Sequence, residues 1–254
     1  MKRRLLADIV GVTPSSFENF TRCGRRFFLA DLLGVPVSDP GPPNDQGMFV
    51  HEMLCRIHET GSCADDAHVR DVLTLHGDES DHMRTLIRQH EHRCPAAAST
   101  RDAHEQELAR FHRLPPPMFM ATARIDAIWI HDGLLDARDY KTGGLWHTRV
   151  ADVPAARVQA FVLGAAAAKR GLRLRLRYEY LQPEIDEDPE PWEPDADDLV
   201  FVEEELRSAV EHMKEQVDWT GVAEADVCVR CPYRSICRDS AAPGEPSWPV
   251  LAVT

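Results

Sequence analysis

The chain has 254 residues, 43% of them hydrophobic, and a formal net charge of −13. That is enough apolar material for one large α/β domain, or for one domain with an appendage. No apolar run approaches the roughly 20 residues of a membrane-spanning helix, and the acidic balance argues against a surface that is basic throughout.

The basic start, MKRRLLADIVGV, has neither a long apolar core nor a small-residue cleavage site. It therefore does not read as a signal peptide, and a cytoplasmic protein is the default expectation. Thr13-Pro14 combines an N-cap residue with proline at the first helical position, and the expected helix runs to Gly34. Residues 36–46 form a loop. Gly47 to Glu59 reads as a helix, with Met48, His51, Leu54, Cys55 and His58 on one face. Residues 60–104, rich in Asp and His, form a variable helical cap with helical patterns at 68–76 and 80–92.

β signals begin next. A strand is expected at 104–114, a proline turn at 115–117 and a stronger strand at 118–130. His131-Asp132-Gly133 is a hairpin turn leading to a strand at 134–141. A long helix covers Pro154 to Arg170 and stops at Gly171. Residues 172–183 alternate cleanly and form a strand. An acidic loop spans 184–198, and an amphipathic helix covers 197–217. The order is helices, three antiparallel strands, helix, strand, helix: an α/β core with a mixed central sheet flanked by helices.

The charge is unevenly spread. Residues 184–205 hold twelve acids and no Lys or Arg, which leaves the remainder close to neutral. Basic groups stand out locally: Arg22, Arg25 and Arg26; Lys169, Arg170, Arg173, Arg175 and Arg177; Arg230, Arg234 and Arg238. Net charge thus neither supports nor excludes a DNA partner.

Alternation along a strand puts Asp139 and Lys141 on one face, roughly 7 Å apart at the backbone. The preceding hairpin strand carries Asp126, which pairing could bring beside Asp139. Two neighbouring carboxylates are costly to hold together unless a cation joins them. Mg²⁺ or Mn²⁺ would suit these oxygen ligands, and a nearby lysine could position or deprotonate water. Asp136 and Arg138 have the other parity and share the face of Tyr140.

Four stretches, in order, resemble the PD-(D/E)XK nuclease superfamily and its RecB-like iron–sulfur branch, which includes the CRISPR-associated RecB-like exonucleases and the AddB nuclease domain. Gly47-Met-Phe-Val-His51-Glu-Met-Leu54 resembles its G-x-x-x-H-x-x-L helix, and Arg124-Ile125-Asp126 its hydrophobic-Asp strand. Asp139-Tyr140-Lys141-Thr142-Gly143 resembles the D/E-x-K-T-G strand, and Gln159 the Q-x-x-x-Y helix, although Leu163 replaces the usual Tyr. The resemblance implies a restriction-endonuclease-like core spanning 1–254 as one nuclease domain. It implies metal ligation by His51, Asp126, Asp139 and the Tyr140 carbonyl. It implies that Lys141 activates water and that Gln159 steadies the lysine or the substrate.

Seven cysteines, an odd number, argue against a disulfide framework in a reducing compartment. Cys228, Cys231 and Cys237 follow a C-x₂-C-x₅-C pattern, one thiol short of a closed site. The iron–sulfur nucleases supply the fourth from before the core, which points to Cys23. In them the early cysteine is usually followed by Pro, where this chain has Gly24. Spacing leaves zinc and iron open, and the resemblance favours a 4Fe–4S cluster over structural Zn²⁺. Such a module would join 13–34 to 218–240 and gather Arg22, Arg25, Arg26, Arg230, Arg234 and Arg238 for phosphate. Phe27, Phe28 and Tyr233 could stack bases there, with core packing favoured for the Phe pair. Cys55, Cys63 and Cys94 lack ligand spacing and read as ordinary thiols, with Cys55 buried.

The resulting expectation is a metal-dependent DNA exonuclease acting on single-stranded or frayed ends in repair, recombination or CRISPR adaptation, with a helicase or CRISPR-adaptation partner. The rivals are a catalytically weak nuclease-fold subunit that holds DNA or a helicase, with the acidic segment as docking tail, and a zinc-ribbon regulator.

Overall fold

A computed structural model describes residues 10–37, 42–76, 81–94, 100–113, 115–145, 147–216, 218–222 and 224–241. The sheet comprises β1 (Val10–Val12), β2 (Thr100–His112), β3 (Phe119–His131), β4 (Leu134–Lys141) and β5 (Arg173–Tyr180). The β2, β3 and β4 strands form antiparallel pairs, while β1 runs parallel to β3 and β5 parallel to β4. The mixed sheet is thus as expected, with β1 an unexpected addition and β2 starting earlier, inside the stretch read as cap.

A strand has two edges. On β3, β2 occupies one along most of its length. The other is shared: β1 pairs through Ala121, and β4 begins its pairing at Ala127. Between them lies a gap in the sheet, and Asp126 stands at its rim. The β3–β4 turn places Asp132 at φ 49° and Gly133 at φ 70°, the left-handed pair that a tight two-residue hairpin needs.

Helices cover both faces. On one, α6 (Pro154–Lys169) and α7 (Ala196–Glu215) join α1 (Pro14–Arg22) over Ile128, Leu135, Leu174 and Leu176. The α6 helix is buried nearly all round, as its run of Ala, Val, Phe and Leu dictates. Gly171 ends it at φ 68°. Asp195 and Asp198 form a reciprocal capping box for α7, so the end of the acidic segment is a helix start rather than loop. On the other face, α3 (Pro42–Thr60), α4 (Asp66–Leu75) and α5 (Asp81–Glu91) build a second core on Ala127, Trp129 and Tyr140.

Two helices differ from expectation. The first breaks at Cys23, whose extended backbone (φ −165°, ψ 114°) separates α1 from α2 (Gly24–Phe27) and a π-helical turn at Phe28–Leu32. The α3 helix starts before Gly47, inside the expected loop. Its buried stripe is Val50, Met53, Leu54 and Ile57, whereas Met48 is 68% exposed. No helix among the described residues is long and apolar enough to cross a membrane.

Candidate functional site

The gap in the sheet sets the site. The β3–β4 ladder ends at Ala127↔Arg138, one step short of Asp126 and Asp139. Freed from the ladder, the Tyr140 N–H donates instead to Asp126 Oδ2 at 2.7 Å. Asp126 Oδ1 faces His51 Nδ1, on α3, at 3.1 Å. Lys141 Nζ donates to Asp139 Oδ1 at 2.7 Å, and Gln159 Nε2, from α6, to Asp139 Oδ2 at 2.8 Å. Each carboxylate oxygen keeps a further lone pair for another ligand.

Gly47 and Thr142, distant in sequence, meet here. A Cβ at Gly47 would lie 2.9 Å from Thr142 Oγ1, so α3 approaches the strand end only because residue 47 has no side chain. The Thr142 carbonyl accepts from Gln182 Nε2, which fixes the chain after β4.

The electrostatics follow from burial beside like charge. Burial pushes Asp126 above its usual range and the Asp139 charge adds to this, with the His51 bond opposing. Burial also disfavours a charged His51, but the bond to Asp126 and the charges of Asp126 and Asp139 prevail, and His51 is raised. Lys141 behaves likewise: burial opposes its ammonium, Asp139 outweighs burial, and it is held above its ordinary value. The carboxylates of Asp126 and Asp139 thus raise both basic groups against the opposing effect of burial. His51, Asp126 and Asp139 line one open cleft of about 520 Å³ with Arg56, Glu59 and Arg124.

A family model described as the PD-(D/E)XK nuclease superfamily matches residues 11–238. The chain belongs to the PD-(D/E)XK nuclease superfamily. Among solved structures it is similar to SSO0001 at 14% identity, over 91% of this chain and 87% of the other, with a TM-score of 0.46. It is similar to the "Putative exonuclease" of Eubacterium rectale at 10% identity, over 90% of this chain and 92% of the other, with a TM-score of 0.51. No curated protein matches the chain.

In PD-(D/E)XK terms, the sheet bearing the acid–lysine strand between flanking helices is the restriction-endonuclease-like arrangement. Leu163, where the helix motif has Tyr, is wholly buried in the core. A hydroxyl arrives from another element. Tyr178 on β5, in register with Asp139, donates to Gln159 Oε1 at 3.4 Å, and Lys141 Nζ lies 4.5 Å from its ring centre. Sequence reasoning passed over Tyr178; its parity in the alternating strand, on the face of neither Glu179 nor Arg177, was the available signal.

Cys23, Cys228, Cys231 and Cys237 line one small cavity with Arg25, Arg26 and Arg234. The backbone already ties the two segments: Arg25 N–H donates to the Thr220 carbonyl at 3.1 Å. Phe27 packs on Trp219 at 5.3 Å between ring centres, and Phe28 stacks on it at 6.4 Å. Tyr233 is buried and donates to the Val35 carbonyl at 3.0 Å. All three rings are therefore committed to packing, and Tyr233 is not a base-stacking platform. The arginines also serve the fold: Arg22 bonds Glu18, Arg25 covers Phe28, and Arg238 lies between Asp218 and Asp239.

Two members of the second basic group are paired from within the chain. Glu193 accepts from Arg173 at 3.0 Å and from Arg175 at 2.7 Å, and Trp192 exchanges backbone bonds with Leu176. The acidic segment thus folds back on β5 and is no free tail. Cys55 is not buried as expected: it lines the cleft and bonds Glu59. Cys63 and Cys94 are not isolated thiols either, since their sulfurs lie within 4.8 Å of the ring nitrogens of His58 and His90.

Proposed function

We propose that this PD-(D/E)XK protein is a divalent-metal-dependent DNA nuclease, acting as an exonuclease on single-stranded or frayed ends. The observation that carries this is the convergence of His51, Asp126 and Asp139 on one open cleft, with Lys141 bonded to Asp139. The donor set fits a hard cation. It offers one imidazole nitrogen and two carboxylates, and Asp126 and Asp139 repel one another there, a repulsion that a cation between them would relieve. His51, Asp126 and Asp139, with the Tyr140 carbonyl, would hold Mg²⁺ or Mn²⁺. When bound, the metal supplies Lewis acidity that offsets phosphate charge and acidifies water.

The chain's own groups do the rest. Lys141 orients water and presents positive charge to the phosphoryl oxygens. Gln159, itself steadied by Tyr178, keeps Asp139 aimed at the cleft. Arg56 and Arg124 on the cleft wall suit the DNA backbone. The test is labelled single-stranded DNA with Mn²⁺. Cleavage is expected, stopped by chelation and lost in Asp126→Ala. DNA bound but uncut by wild-type protein under every divalent metal would instead favour the binding subunit. The RecB-like motifs support repair, recombination or CRISPR adaptation as setting, alongside a helicase or adaptation partner.

The four terminal cysteines are assigned a 4Fe–4S cluster. The four thiols line one small cavity, and the resemblance to the iron–sulfur branch, rather than the cysteine spacing, favours the cluster over a structural zinc. Protein purified without oxygen is expected to be brown, with broad visible absorption lost in Cys228→Ala. Colourless protein with zinc on four sulfurs would replace the cluster with a structural ion.

A further inference from the structure

On the opposite face of β4 from Asp139 and Lys141, inside the helical cap, lies a second donor set. His58 sits in the last turn of α3 and Cys63 just beyond it. His90 sits in the last turn of α5 and Cys94 just beyond that. The chain thus brings two His–Cys pairs, H-x₄-C and H-x₃-C, from two helix ends to one point. All four donor atoms lie within 4.8 Å of one another, and His58, Cys63 and His90 are buried in the second core.

We propose that His58, Cys63, His90 and Cys94 form a structural zinc site that anchors the helical cap. Zinc bonds of about 2.0–2.1 Å to nitrogen and about 2.3 Å to sulfur make tetrahedron edges of about 3.3 Å between nitrogens and about 3.6 Å between nitrogen and sulfur. His58 Nε2 lies 3.2 Å from His90 Nε2 and 3.4 Å from Cys94 Sγ, close to both edges. Two imidazoles and two thiolates converging on one point select zinc. A two-iron cluster with this ligand set puts its histidines and cysteines on different irons, which the short nitrogen–sulfur approach does not match.

The surroundings are those of a metal ligand. Glu179 Oε1 contacts His90 Nδ1 at 2.6 Å, so a proton held there leaves the Nε2 lone pair facing the other donors. The other Glu179 oxygen is fixed by Arg138 Nη1 at 3.0 Å. A chain of contacts therefore runs from β4 through Arg138 and Glu179 to His90. The consequence reaches the nuclease cleft. His51 lies two turns before His58 on α3, so zinc there would pin the helix that presents His51 to Asp126.

The test counts zinc and iron per chain in full-length wild type, Cys94→Ser and Cys228→Ala, by mass spectrometry of dialysed protein. One zinc in wild type, lost in Cys94→Ser and kept in Cys228→Ala, is expected. Glu179→Gln should weaken zinc binding by roughly 10- to 100-fold. Zinc-edge X-ray absorption of wild type needs no variant to fold: sulfur and histidine nitrogen together support the site. Absence of zinc, a sulfur-only shell, or zinc retained in Cys94→Ser would overturn the proposal. So would a Cys63–Cys94 disulfide in a non-reduced digest of the freshly purified protein.

Discussion

Lys141→Ala protein is expected to bind single-stranded DNA within a few-fold of wild type and to cut it roughly 10²- to 10⁴-fold more slowly, the range for loss of one proton-handling group. The side chain is poorly placed to contribute to folding in other ways. It is bonded to Asp139, itself on the cleft wall, and lies beside the Tyr178 ring. Its loss leaves Asp139 with Gln159 alone and adds uncompensated negative charge where phosphate must approach. Lys141→Arg should not restore cleavage, because a planar guanidinium cannot place one compact charge at the same point. Single-turnover cleavage with Mn²⁺, read beside a binding isotherm, checks both. Cleavage by Lys141→Ala within about tenfold of wild type would remove Lys141 from the mechanism.

How far the sequence was legible depended on the range of the forces involved. The β3–β4 hairpin was readable because alternation and the Asp-Gly turn are local, and parity then placed Asp139 with Lys141. The α6 helix and its glycine stop were readable for the same reason. What escaped was set by distant partners. Three residues, Val10–Val12, have no period of their own and become β1 only by pairing with β3. The break at Cys23 interrupts a run with ordinary helical propensity; the adjoining Arg25 amide takes Thr220, from the far end of the chain, as its acceptor. The acidic segment and the basic strand stood apart in the sequence, yet Glu193 of the one holds Arg173 and Arg175 of the other. Cys63 and Cys94 read as ordinary thiols without ligand spacing, because nothing local says that α3 and α5 end side by side and bring them to His58 and His90.

Arg138→Ala tests the other face of the same strand. Arg138 is buried between two buried acids, donating to Glu179 Oε2 at 3.0 Å, to Asp136 Oδ2 at 3.1 Å and to the Arg93 carbonyl at 2.7 Å. Removing one member of a buried ion pair costs about 3–5 kcal/mol, because the surviving charge has lost its compensation. Here neither acid is left alone: Asp136 retains Arg177 at 3.2 Å and His131 at 3.7 Å, and Glu179 retains His90. The lower end, about 3 kcal/mol, is therefore expected as a fall in the urea midpoint. Arg177→Ala should cost well under half as much, since that side chain is 36% exposed and water can replace it. Equal losses for the two arginines would mean that Asp136, not the chain through Glu179, is what Arg138 serves. A loss below about 1 kcal/mol for Arg138→Ala would mean that water reaches this network and that it does not anchor the cap to the sheet.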